Sequence, residues 1–219
     1  MNQGQNVGFA LFRTPEGIDY THPSFLNADG SSRIYSIWDQ SIPYVPDSGQ
    51  EGNLPEELSY GTEYARKAIN RALRAENPFD IVPSRDTEGH GTFLAGVACG
   101  NEEVEREFSG IAPLSELVVV KCKEAKENIR EYYGITGDVP CYMENDIMLG
   151  VRYLARIAYR RRRPMVVCIG MGTSLGSHYR GGALGEVLQS YGDLRGFIVV
   201  AACGNEGNTS HHFHQEELG

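Results

Sequence analysis

No apolar run in this chain approaches the ~18 residues that a membrane-crossing helix needs, so no membrane span is predicted. Met1 to Val7 has no basic cluster leading into an apolar core, and no secretory leader is read there. Positive charge is scarce: 20 Lys and Arg stand against 29 Asp and Glu, a net charge of −9. That balance lacks the electrostatic footprint of a nucleic-acid binder. The one basic run, Arg160 to Arg163, precedes Pro164 at the end of a helix-like segment. It reads as cations at a helix C-terminus, favoured by the dipole, with a binding patch as the alternative. Cysteine is sparse too. The five residues are odd in number and none pairs with CxxC spacing, which argues against a disulfide framework and a zinc site. Four lie in or beside apolar segments, where a reduced thiol packs as a small hydrophobe, and this points to a reducing compartment.

The 219 residues suffice for one domain with a real core. Val7 to Phe12, Leu117 to Lys121, Met165 to Ile169 and Phe197 to Ala202 read as strands, with a further strand-like piece at Arg33 to Trp38. Strands that are apolar throughout, rather than alternating, are buried on both faces. Thr62 is predicted to cap a helix running to about Glu76, with Ala65, Ile69, Ala72 and Leu73 on one face. Asn145 or Asp146 starts a second helix, with Ile147, Val151, Leu154, Ala155 and Ala158 on one face. Ala183 to Tyr191 is a third. Helices between buried strands imply a parallel sheet in an α/β domain. Residues 123–143 are polar, with Gly and Pro, and read as an excursion.

Three segments carry the chemistry. In Asp86-Thr-Glu-Gly-His-Gly-Thr92 a histidine between two glycines opens a helix of small residues. Its ring is unobstructed, which suits a general base; a structural hydrogen bond at a helix start is the alternative. Ser109-Gly-Ile-Ala-Pro113 precedes a strand, and Ala201-Ala-Cys-Gly-Asn205-Glu-Gly207 ends one. An Asn at a strand's C-terminal end can aim its amide into a cleft and stabilise an oxyanion, or can simply be a turn residue.

Taken together and in order, these segments resemble the subtilase family of serine proteases, and Gly17-Ile-Asp-Tyr-Thr-His-Pro23 adds a fourth match. The excursion, with Asp138-Val-Pro-Cys-Tyr-Met-Glu-Asn-Asp-Ile147, is most similar to clostridial subtilases, including spore germination proteases. The resemblance implies a three-layer subtilisin-like fold, a mainly parallel sheet flanked by helices, incomplete at the C-terminus. Residues 1–219 are then a single partial domain with insertions at about 39–80 and 123–143. It implies His90 as general base, Asn205 in the oxyanion hole, and Gly170 and Gly172 along the substrate cleft. It implies no cofactor; calcium is not indicated. The cellular setting is cytoplasmic or spore-associated.

The nucleophile is expected beyond Gly219. In the family the oxyanion Asn and the Ser are roughly 65 residues apart, and only 14 residues follow Asn205. Ser174, in Gly172-Thr-Ser, precedes the Asn segment and is not read as the nucleophile. The family's strand-end aspartate is also missing: the residue two before Gly17 is Pro15. Glu16 and Asp19 are substitutes only if the backbone shifts. His22 is read as structural, His178 as a solvated loop residue, and His211, His212 and His214 as no metal site. The expectation is a degraded subtilase that binds polypeptide or a partner protease, touching neither nucleic acid nor membrane. The alternatives are an active serine endopeptidase whose Ser follows Gly219, and an α/β nucleotide-cofactor enzyme.

Overall fold

The computed structural model describes residues 8–13, 17–137, 139–173, 181–204 and 207–208. Six strands form one sheet: β1 (Gly8–Arg13), β2 (Ile34–Asp39), β3 (Thr62–Ala65), β4 (Glu116–Lys121), β5 (Met165–Ile169) and β6 (Phe197–Ala201). Their order is β3-β2-β4-β1-β5-β6. Every pairing is parallel except β2 with β3. All the parallel strands therefore point their C-terminal ends to one edge, where open α/β sheets place their sites.

The apolar runs of β2, β4 and β5 pack on two faces. On one, Trp38, Val118, Val120, Met165, Val167 and Ile169 pack against Val151, Leu154 and Ile157 of α4 (Glu144–Arg161), with α5 (Ala183–Gly192) beside it. On the other, Ile34, Ile37, Leu117 and Val119 meet Ile69 and Ala72 of α1 (Arg66–Ala72) and Ala95 and Cys99 of α2 (His90–Cys99). The result is three layers, as the sequence predicts. A register shift between Ile34 and Ser36 makes Tyr35 the extra residue of a bulge, so Ile34 and Ile37 share a face despite their odd spacing.

The α1/α2 layer stops short. The register aligns Val166 with Ile198 and Cys168 with Val200. Val166 and Cys168 are half-buried, but Ile198 and Val200 are 57% and 52% exposed. This end of the sheet is left open among the described residues.

The expected two-faced burial thus fails at β6, and the expected helix start fails as well. Thr62 does not cap a helix; Thr62–Ala65 is a strand on the sheet's edge, and the helix begins at Arg66. The Thr62 hydroxyl donates to the Ile42 carbonyl at 2.9 Å rather than to a helix N-terminus. Thr62 and Tyr64 are strand-forming residues that find a partner in Asp39 and Ile37. The excursion also holds a short helix, α3 (Glu127–Tyr132), and is closed at its neck by the Ala125 N–H donating to the Cys141 carbonyl at 2.8 Å.

Candidate active site

His90 is the first residue of α2, and it is exposed. The capping position is Gly89, which has no side chain to satisfy the helix's first N–H groups. Asp86 reaches in instead. Its Oδ2 accepts from the Thr92 N–H at 2.8 Å and from the Thr92 hydroxyl. Its Oδ1 accepts from Gly89 N at 2.7 Å and Glu88 N at 3.2 Å. A carboxylate at a helix N-terminus is favoured by the dipole as well as by these bonds. The loop that presents His90 is thereby wound around one side chain.

The loop is also pinned from below. Asp39, at the C-terminal end of β2, is fully buried; it accepts from Ser84 Oγ at 2.7 Å and from Ser41 N at 2.9 Å. Lys121 ends β4 in register with Asp39. Its Nζ donates to the Arg85 carbonyl at 2.9 Å and lies 3.7 Å from Asp39 Oδ2. The buried charge is thus paired and hydrogen-bonded, as burial requires.

The Gly17–Asp19 turn sits directly against this assembly. The Asp19 N–H donates to Thr92 Oγ1 at 2.8 Å. A Cβ on Gly91 would lie 2.0 Å from the Gly17 carbonyl oxygen, so only glycine permits this approach. The Asp19 carboxylate itself turns to its neighbour, accepting from the Thr21 N–H at 3.0 Å and the Thr21 hydroxyl at 2.6 Å. Among the described residues, Asp19 therefore anchors a turn and no carboxylate hydrogen-bonds to His90. His22 caps the short helical turn at Pro23–Phe25 by accepting from the Ser24 N–H.

Gly170 and Gly172 follow β5 at the same edge of the sheet. A Cβ on Gly172 would come within 2.6 Å of Gly204 Cα, so the loops leaving β5 and β6 are in close backbone contact. Gly204 directly precedes Asn205 in the chain. Asn205 and Glu16 lie outside the described residues, as do Pro15, Ser174, His178 and the His211–His214 cluster. No group of side chains among the described residues has the makings of a metal site. No described helix is long and apolar enough to cross a membrane.

Sequence reasoning singled out the histidine and the glycines but missed Asp86, Thr92, Asp39 and Lys121 as supports. Asp86 had a signal: an acid just ahead of a helix start is a capping residue. The Asp39–Lys121 pair had none, because it depends on the register between two strands.

Comparison with known proteins gives one consistent picture. A model of the Subtilase family matches residues 16–217. Subtilisin-like protease SBT2.2 of Arabidopsis thaliana is 30% identical over 158 residues, covering 68% of this chain and 18% of that protein. Subtilisin-like protease SBT2.3 of the same plant is 30% identical over 173 residues, covering 74% and 19%. The solved structure of the Clostridium perfringens CspB protease is 32% identical with a TM-score of 0.73, covering 94% of this chain and 38% of that one. Sphericase, at 16% identity and a TM-score of 0.53, shares the fold. The chain spans about a fifth of the length of these plant relatives.

Proposed function

The chain belongs to the subtilase family, and from that premise we propose that it is the base-bearing part of a catalytically impaired serine-peptidase domain that binds polypeptide. In this reading His90 is the general base and Asn205 the oxyanion donor. Gly170 and Gly172 line the cleft for an extended peptide. The impairment comes from Pro15 at the place of the strand-end acid. Without that acid, the imidazole lacks the group that fixes its tautomer and stabilises the imidazolium. Even an amide in place of the acid costs about 10⁴ in rate.

The observation that supports this most is the engagement of the neighbouring carboxylates. Asp19 accepts both donors of Thr21, and Asp86 accepts from Gly89 and Thr92. Neither is at liberty to take the acid's place without dismantling the turn or the helix start. The protein then engages its polypeptide, or a partner protease, without cutting it. The clostridial likeness supports a spore-associated setting.

An active endopeptidase is the second reading, favoured by the intact support of His90 and by the close packing of Gly172 on Gly204. Labelling the full-length protein with a fluorophosphonate separates the two. The impaired domain takes up no label and cleaves no casein. Labelling at a serine beyond Gly219, with inhibitor-sensitive cleavage, overturns the proposal. Introducing the acid as Pro15→Asp then reports the nucleophile: labelling gained only in that variant means that the acid alone was lost.

A further inference from the structure

At the opposite edge of the sheet, where the parallel strands begin, a basic groove forms on this otherwise acidic chain. The bulged Tyr35 is its centre. The guanidinium of Arg66, from α1, lies 5.8 Å from the Tyr35 ring centroid, and that of Arg161, from the end of α4, lies 4.7 Å from it. Glu116, the first residue of β4, accepts from Arg66 Nη2 at 2.7 Å, from Arg161 Nη2 at 2.8 Å and from Arg163. Three guanidiniums thus share one carboxylate, an excess of two positive charges. Lys67 is exposed beside Arg66 and has no ion pair among the described residues. A cavity of about 490 Å³ opens here, lined by Tyr35, Glu63, Arg66, Lys67, Arg160 and Arg161. The run Arg160–Arg163 is therefore more than a set of cations completing a helix. The fold brings it together with a second basic pair 94 residues earlier, Arg66 and Lys67.

We propose that this groove is a binding site for an acidic polypeptide segment, separate from the cleft at the His90 edge. Guanidiniums pre-ordered on an aromatic ring offer forked donors that match carboxylates. Arg161 uses only one of its five N–H donors on Glu116. Glu63 also faces the cavity, with Oε1 accepting from the buried Tyr153 hydroxyl at 2.6 Å. Its remaining acceptor capacity suits a peptide N–H, which a phosphodiester backbone does not offer. The cavity holds a few residues, and the chain's net charge of −9 repels any long polyanion. Both points favour a short acidic peptide over a nucleic acid.

The test uses the full-length protein and fluorescein-labelled hexaglutamate, followed by fluorescence anisotropy. Saturable binding at low salt is expected, weakening about 10-fold when salt is raised past the point where the Debye length falls below 10 Å. Lys67→Glu removes no ion pair, so its fold is retained, as circular dichroism will show. It is expected to weaken binding about 5–10-fold. Arg161→Gln is expected to weaken it comparably, and Lys67→Gln by less. Absence of binding at low salt overturns the proposal. So does affinity unchanged in Lys67→Glu and Lys67→Gln, or a single-stranded oligonucleotide bound in preference to hexaglutamate.

Discussion

Replacing Asp86 by Asn tests whether one carboxylate holds the loop that presents His90. The substitution keeps the shape and removes the charge. In the native protein Oδ1 serves Gly89 N and Glu88 N, while Oδ2 serves Thr92 N and the Thr92 hydroxyl. An amide has one oxygen. Whichever way it is turned, its NH2 faces an N–H donor that had an acceptor before. A hydrogen bond to a charged group contributes about 1.5–3 kcal/mol. Loss of an N-cap costs about 1 kcal/mol and the dipole term about 0.5 kcal/mol. These overlap, because the same contacts are counted in each, so the expected loss is about 2–3 kcal/mol. For a domain of this size that lowers Tm by about 5–10 °C. Urea unfolding gives the free energy, with an unchanged slope as the check that only stability moved. Hydrogen exchange should speed up at the amides of Gly89 and Thr92. A loss below about 0.5 kcal/mol, or unaltered exchange at both amides, refutes the account of how the loop is held.

Three more outcomes follow from other parts of the structure. Gly91→Ala sets a Cβ 2.0 Å from the Gly17 carbonyl oxygen, and is expected to cost about 3 kcal/mol in urea unfolding because backbone must move to relieve it. In native protein a maleimide should react first at the exposed Cys203, and burial should shield Cys99 and Cys122, whose thiols it pushes up to about 11 and about 12; mass spectrometry of digested adducts reads the order. Burial alone would raise the Glu116 carboxyl, but the bond from Arg66 and the charges of Arg66, Arg161 and Arg163 hold it below its ordinary value of 4.5. Its contribution is therefore complete above that value and is lost as pH falls through the lowered one, so Glu116→Gln should flatten the acid limb of a stability–pH profile.

What the sequence disclosed depended on how local the cause was. The strands β4 and β5 and the helix α4 were legible because each buries its own apolar pattern, and β6 because its run of apolar, mostly β-branched residues reads as strand even where it is exposed. The edge strand β3 was not. Its four residues are ordered as strand by pairing with β2, more than twenty residues earlier, and by a bridge from Asn53 to Glu63, and Thr62 also resembles a helix cap. The helix α3 has no buried residue and so left no periodic trace. The glycines around His90 announced an open ring at a helix start. That Asp86 winds the loop was readable as capping chemistry. The Lys121 anchor was not readable, since it arises from the alignment of β2 with β4.

The contact between Gly91 and Gly17 has a consequence for how such a domain ages. Close backbone packing, with the Asp19 N–H on Thr92 Oγ1, holds the helix that opens with His90 to the turn that follows β1. A substitution that spares Asp86, Thr92 and the two glycines leaves that contact closed. For the impaired domain proposed above, the binding fold then rests on contacts that catalysis does not use. On that proposal, a carboxylate introduced as Pro15→Asp meets His90 on a helix that the same contact still holds.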